Sequence, residues 1–161
     1  MTELYLLRHA DAGDPMAWKG PDADRPLSGK GEKQAERLGR FLKEVGFTPD
    51  AVLSSSKVRA AQTAEIVARH LGVPATTSDR LAGALEIESL EAILRHAGDP
   101  ARPVLVGHDP DFSDLLEALT GASGVTMKKG ALARIDAERP FAPGRGTLRW
   151  LVPPDLLKAD R

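Results

Sequence analysis

At 161 residues the chain is long enough for one domain with a substantial core, roughly two thirds of its unfolded surface becoming buried. Its 22 basic and 23 acidic residues leave a formal net charge of -1, which argues against a nucleic-acid partner, and no apolar run approaches the roughly 20 residues of a membrane helix. With no cysteine there is no disulfide framework, thiolate nucleophile or thiolate metal site, and the amino terminus lacks a signal peptide's basic start and long apolar core; a cytoplasmic monomer with no membrane partner is expected. In chain order, Leu4-Tyr5-Leu6-Leu7 is a continuous apolar run that ends at Arg8-His9-Ala10-Asp11. Such a run reads as a strand buried on both faces, as in a parallel sheet. Residues just past its carboxyl end would lie where open α/β sheets bind their ligands.

The next stretch, Asp11 to Leu27, is polar, contains Gly13, Pro15, Gly20, Pro21 and Pro26, and reads as a long functional loop. Ser28 is then a helix cap, with Ala35, Leu38, Leu42 and Val45 along one face and Gly46 as the stop. Ala51-Val52-Leu53 is a second buried strand. A second helix begins at Ser54-Ser55, carries Ala60, Ala64, Val67 and Leu71 on one side, and closes at Gly72. Pro74 to Ser78 fits an edge strand. Ser89 opens a third helix with Leu90, Ile93, Leu94 and Ala97 facing inward, before Gly98 and Pro100. Val104-Leu105-Val106 is a third buried strand, ending at Gly107-His108-Asp109. Pro110 suits the first turn of a fourth helix, which buries Phe112, Leu115, Leu116 and Leu119 and stops at Gly121. Near the end the period changes to two, around Leu132, Arg134 and Asp136 and around Leu148, Trp150 and Val152, which predicts two half-exposed, antiparallel strands. No repeat or linker interrupts this pattern, so a single domain over 1–161 is expected. The fold class is α/β: three layers, α/β/α, around a mostly parallel sheet with an antiparallel part near the carboxyl terminus.

Position divides the four histidines. His70 and His96 lie in the last turns of helices, where a partly positive ring suits the helix dipole. His9 and His108 instead follow two parallel strands directly, so the sheet would bring them to one edge. Arg59 and Lys57 start the second helix, where the dipole disfavours cations; a surface salt bridge or a bound anion would explain them. A helix amino terminus offers free N–H groups to phosphate, and guanidinium adds a two-pronged contact. Arg8, Arg59, His9 and His108 together therefore point to a phosphate site.

These residues resemble the histidine phosphatase superfamily, whose fold is also called phosphoglycerate-mutase-like. Arg8-His9-Ala10 is similar to the family's Arg-His-Gly signature, with alanine for glycine. Leu53-Ser54-Ser55-Ser56-Lys57-Val58-Arg59-Ala60-Ala61-Gln62-Thr63-Ala64 is similar to its second-arginine block, and Val106-Gly107-His108-Asp109-Pro110 to its second-histidine block. The short length, Arg25-Pro26-Leu27-Ser28 with Gly31, and Lys129-Gly130-Ala131-Leu132-Ala133 narrow the resemblance to the SixA-like phosphohistidine phosphatases. It implies that His9 is the nucleophile, that Arg8, Arg59 and His108 are catalytic residues binding the phosphate oxygens, with Arg25 a further candidate, and that no metal or cofactor is needed. Asp109, where the block often has asparagine, reads as a cap for the next helix.

The family's mutases and sugar phosphatases carry a glutamate in a Leu-X-Glu context after the third strand; here Leu81-Ala82 is followed by Gly83. Asp11 and Glu86 are the replacement acids on offer, although Glu86 and Glu88 also suit the start of the third helix. An alkoxide leaving group, with basicity comparable to hydroxide from water at about 15.7, needs a proton donor. Imidazole, with a conjugate acid near 6.5, does not. The expected function is therefore hydrolysis of a phosphorylated histidine protein. The alternatives are a small phosphate ester phosphomonoesterase and a non-catalytic phosphate-recognition module. A metal hydrolase built on His9, Asp11, His108 and Asp109 is disfavoured by ligand spacing and by the adjacent arginines.

Overall fold

Leu4–Leu7 is buried on both faces in the structure, a computed structural model that describes residues 1–158. It forms the middle of β1 (Thr2–Arg8), and the other strands are β2 (Ala51–Ser54), β3 (Ala75–Thr77), β4 (Pro103–Gly107), β5 (Leu132–Ala137) and β6 (Thr147–Val152). The sheet order is β3-β2-β4-β1-β5-β6. The first four strands pair in parallel, while β5 runs antiparallel to both β1 and β6. Four helices, α1 (Gly29–Glu44), α2 (Val58–Leu71), α3 (Ile87–His96) and α4 (Asp111–Thr120), cover the two faces. Among the described residues no helix is long and apolar enough to cross a membrane.

Strand alternation explains why the apolar runs are unbroken. Leu4, Leu6, Leu53 and Leu105 point into a core with Leu90 and Leu94 of α3 and Phe112 and Leu116 of α4. Tyr5, Leu7, Val52, Val104 and Val106 point the other way, against Leu38 and Leu42 of α1 and Ala60, Ala64 and Val67 of α2. Successive side chains of a strand face opposite sides, so a strand sandwiched between helices has to be apolar at every position.

Several expectations shift in detail. The antiparallel pair is present, but β5 lies between β1 and β6 and is buried along most of its length rather than half-exposed. Its inward Asp136 is neutralised by Arg134 (2.9 Å) and Arg149 (2.8 Å), which keeps a period-two polar pattern inside the sheet. The edge strand expected over Pro74 to Ser78 is β3. Helix α3 starts at Ile87, two residues before Ser89, whose Oγ accepts the Glu86 N–H at 3.3 Å from within the first turn. Helix α2 starts at Val58 because Ser55 is used for tertiary contacts. Pro110 immediately precedes α4 rather than opening it, and having no polar side chain it leaves the capping to Asp109, which accepts from Ser113 N (3.1 Å) and Ser113 Oγ (2.6 Å). The segment Asp11 to Leu27 is not wholly irregular: Asp22–Asp24 forms a turn of 3-10 helix.

The start of α1 is fastened to the end of β1. Ser28 Oγ accepts the Gly31 N–H at 3.0 Å, and Ser28 N donates to the Asp11 carbonyl at 3.0 Å. A Cβ on Gly31 would collide with that same Asp11 backbone carbonyl. In an open helix Gly→Ala stabilises by up to about 1 kcal/mol. Here Gly31→Ala is expected to destabilise by about 1–3 kcal/mol, the usual effect of overpacking, seen as a lower urea midpoint with an unchanged slope.

Candidate active site

Three strand ends converge because of their register. Arg8 is opposite Gly107 in the β1–β4 pair, and Ser54 is opposite Val106 in the β2–β4 pair. The backbone continues the match for one more residue: His9 N donates to Gly107 O (2.9 Å) and Ser55 N to Val106 O (2.9 Å). His9, His108 and Ser55 are therefore neighbours although about fifty residues separate each from the next along the chain. The two imidazole centroids are 5.2 Å apart with their planes at 55°. Both residues are buried, as are Arg59 and Arg25.

The protonation of His9 follows from its one partner. Nδ1 lies 2.7 Å from the carbonyl oxygen of Ala10. A carbonyl only accepts, so Nδ1 carries the proton. Burial lowers the pKa from 6.5 to about 4, and the nearby positive charges of Arg59, Arg8 and Lys129 push it the same way. At neutral pH the ring is uncharged and Nε2 is left with a free lone pair. Burial, reinforced by His9 and Arg59, likewise brings His108 down to about 3. Its Nε2 meets Ser55 Oγ at 2.8 Å. Ser55 Oγ accepts the Lys57 N–H (3.2 Å), and because Ser55 is fully buried and its hydroxyl hydrogen meets no acceptor other than His108 Nε2 among the described residues, it donates there, which puts the imidazole proton on Nδ1.

That Nδ1 has no partner. Among the described residues, the buried side-chain nitrogens and oxygens without a hydrogen bond are His108 Nδ1, Arg8 Nε and Arg59 Nε. Buried polar groups are ordinarily satisfied, so each such exception calls for an explanation. All three belong to residues already picked out from the sequence as phosphate ligands. An oxyanion can accept from two guanidinium N–H groups and an imidazole N–H at once.

The remaining groups are placed as follows. Arg8 Nη1 donates to Met127 O (2.8 Å), with the Asp109 carboxylate 3.9 Å away. The salt bridge considered for Arg59 is present with the arginine buried: its Nη1 and Nη2 donate to the carbonyl and to the half-exposed carboxylate of Asp22. Arg25 ties the loop to itself, Nη1 donating to Ala12 O (2.7 Å) and Nε to Asp22 Oδ1 (3.2 Å). Asp11 accepts from Ser28 Oγ (2.6 Å) and Gly13 N (3.2 Å) and faces Lys129 at 3.7 Å. The Ser28 bond leads in holding its carboxyl below the usual range, so Asp11 is ionised at neutral pH and poorly suited to donate a proton. Glu86 is exposed at the start of α3. The alanine of the signature fits without strain: among the described residues only Asp99 is a non-glycine with positive φ.

Four contributors escaped sequence reasoning. Ser55 orients His108. Thr63 holds Ala10, accepting its N–H at 3.1 Å while donating to Arg59 O at 2.8 Å. Gly130 N straps the end of β1 through Arg8 O (3.1 Å) and His9 O (3.0 Å). Asp22 occupies Arg59. Only Thr63 leaves a trace in the sequence, a polar residue on the buried Ala60–Ala64–Val67 face of α2.

The chain resembles known proteins in sequence and in fold. Residues 4–99 match the model of the histidine phosphatase superfamily (branch 1). An uncharacterized protein of Picosynechococcus sp. is 35% identical over 94% of this chain and 99% of its own length. The structure of the protein histidine phosphatase SixA complexed with tungstate superposes with a TM-score of 0.82 at 26% identity, covering 98% of this chain and 100% of SixA. A mycobacterial glucosyl-3-phosphoglycerate phosphatase in complex with VO3 shares the fold, with a TM-score of 0.70 at 18% identity over 93% of this chain and 98% of its own.

Proposed function

The chain belongs to the histidine phosphatase superfamily, and from that premise we propose that it is a metal-independent phosphatase acting on phosphohistidine in proteins, as a monomer in the cytoplasm. Phosphatase activity through a histidine is the common ground of the family match and the likeness to SixA. The observation that carries the assignment of residues is that three unpartnered buried nitrogens belong to His108, Arg8 and Arg59, residues next to His9 or whose charge is felt there, while the His9 ring keeps a free lone pair. In this reading Nε2 of His9 attacks phosphorus while the bond from phosphorus to the substrate nitrogen breaks. The substrate imidazole, already protonated from solvent on its other ring nitrogen, keeps the electron pair and leaves as neutral imidazole. Arg8, Arg59 and His108 hold the three equatorial oxygens, where positioning and charge stabilisation do most of the work in phosphoryl transfer. Water then attacks the phosphorylated His9, inorganic phosphate leaves, and the lone pair returns to Nε2.

The preference for phosphohistidine is supported by the state of the two candidate acids, one ionised and one exposed. Imidazole departs without a strong acid, and an alkoxide does not. The test is to offer the enzyme a phosphohistidine carrier protein and a panel of sugar and nucleotide phosphates. The expected result is a kcat/KM for the carrier on the order of 10² or more above the best ester, a typical general-acid contribution. A faster ester would make the enzyme a small-molecule phosphomonoesterase.

The lowered pKa of His9 fixes the sign of a pH effect. A nucleophile titrating at about 4 stays neutral down to pH 5. With the substrate's own ionisation divided out, kcat/KM is expected to stay level from pH 7 to pH 5, where an unperturbed imidazole would lose roughly 20-fold. A profile falling through 6.5 would mean that the ring is not desolvated in the working enzyme.

A further inference from the structure

Arg59 already has an anion on it. Its Nη1 donates to the backbone carbonyl of Asp22 at 2.9 Å and its Nη2 to Asp22 Oδ2 at 3.0 Å. The other carboxylate oxygen, Oδ1, accepts from Arg25 Nε at 3.2 Å. The two guanidinium side chains are only 8% and 9% exposed, whereas that of Asp22 is 56% exposed. The carboxylate therefore reaches two buried cations from the solvent side. The Asp22–Asp24 turn is brought there by Arg25, which anchors to Ala12 O, and by Trp18, whose Nε1 donates to Pro21 O at 2.9 Å. The Arg25 hydrogen bond and the charge of Arg59 hold the Asp22 carboxyl below its usual range, so it is ionised at neutral pH. Its charge is also felt at His108.

A carboxylate and a phosphoryl group present the same pair of oxygens to a guanidinium fork. Asp22 uses one N–H on each of Nη1 and Nη2, and the Nε–H has no partner. An oxyanion taken by the Nε–Nη2 side of the fork shares Nη2 with the Asp22 carboxylate, which places two negative charges on one guanidinium nitrogen. We infer that Asp22 is an intramolecular competitor of the phosphoryl group, a specificity-determining residue that substrate displaces from Arg59 Nη2 on binding. This rests on the reading that Arg59 binds the phosphoryl group. The consequence is selective. A small phosphate ester or inorganic phosphate meets the competitor with little else to offer, so both bind weakly and product leaves easily. A protein substrate has contacts remote from phosphorus, and their binding energy can be spent on displacing the carboxylate.

The experiment compares wild type with Asp22→Asn, which keeps the backbone carbonyl and the side-chain shape but removes the charge, and with Asp22→Ala. Calorimetry gives the dissociation constants for tungstate and inorganic phosphate without relying on turnover; steady-state kinetics give KM and kcat for a small phosphate ester and for a phosphohistidine carrier. Both variants are expected to bind tungstate on the order of fivefold more tightly. KM for the ester is expected to fall by a similar factor, narrowing its disadvantage against the carrier. Unchanged or weaker tungstate binding in variants with wild-type melting temperature would overturn the inference, making Asp22 a residue that orients Arg59. A fall in kcat of tenfold or more with a new pH limb would overturn it too, assigning Asp22 to proton transfer. Arg59→Ala is the control. If wild type bound no tungstate, or if its binding survived Arg59→Ala, the phosphate site itself would be wrong and the inference would fall with it.

Discussion

Replacing His9 by alanine is expected to remove turnover on every phosphorylated substrate, with a loss on the order of 10⁴–10⁶ in kcat, the scale seen when a covalent nucleophile is deleted. The chemical reason is that no other neutral nitrogen in the site has a free lone pair directed by a fixed donor bond. His108 is held by Ser55 through Nε2, which hydrogen-bond counting leaves with the acceptor role inside the protein. The structural effect is small by comparison. The variant loses the bond from Nδ1 to the Ala10 carbonyl, worth about 1 kcal/mol, so the protein should remain folded by circular dichroism. Wild type quenched in alkaline detergent after incubation with labelled phosphohistidine protein is expected to carry label on His9, and the variant none. Label retained by the His9→Ala protein, or catalysis reduced less than tenfold, would reject the covalent route.

For Arg59→Ala a decrease of about 10²–10³ in kcat/KM is expected, matching the 2.7–4 kcal/mol that one positioned donor contributes to a developing anion. Arg59 is buried at the start of α2, and its guanidinium is held by the carbonyl and carboxylate of Asp22. Its guanidinium is therefore organised before substrate arrives. The partner stranded by the substitution, Asp22, is more than half exposed and regains water, so stability should change little. Arg59→Lys is the informative companion. It restores the charge but not the planar fork, and should recover only part of the activity. Full recovery with lysine would show that charge alone matters there. Equal losses for alanine and lysine would place the whole effect in bidentate geometry.

Much of this was legible in the chain. Apolar runs of three or four residues ending in charged or polar groups marked the strands, and apolar positions three and four apart marked the helices. Glycines at 46, 72 and 121 marked helix ends, and each has a positive φ in the structure. The departures were local competitions. Helix α2 starts late because Ser55 serves His108 and Lys57 instead of opening the helix. Asp109 caps α4 because proline holds the position that would otherwise carry the capping side chain. Strand β5 keeps alternating polar residues in a buried setting because Arg134 and Arg149 neutralise Asp136.

The sequence by itself determined where the chemistry begins: two histidines and an arginine placed at strand ends, and a second arginine at a helix start where local energetics disfavour a cation. Even the tautomer of His9 is local, since the acceptor belongs to the next residue. Only the tertiary structure decided that both rings are neutral, because desolvation depends on what packs around them and not on their neighbours in the chain. The partners of Arg59 and His108 were likewise decided there. Asp22 and Ser55 lie 37 and 53 positions from the groups they bind, and no periodicity encodes such a pairing. It arises when strand register and the path of one loop bring separate segments to the same few ångströms.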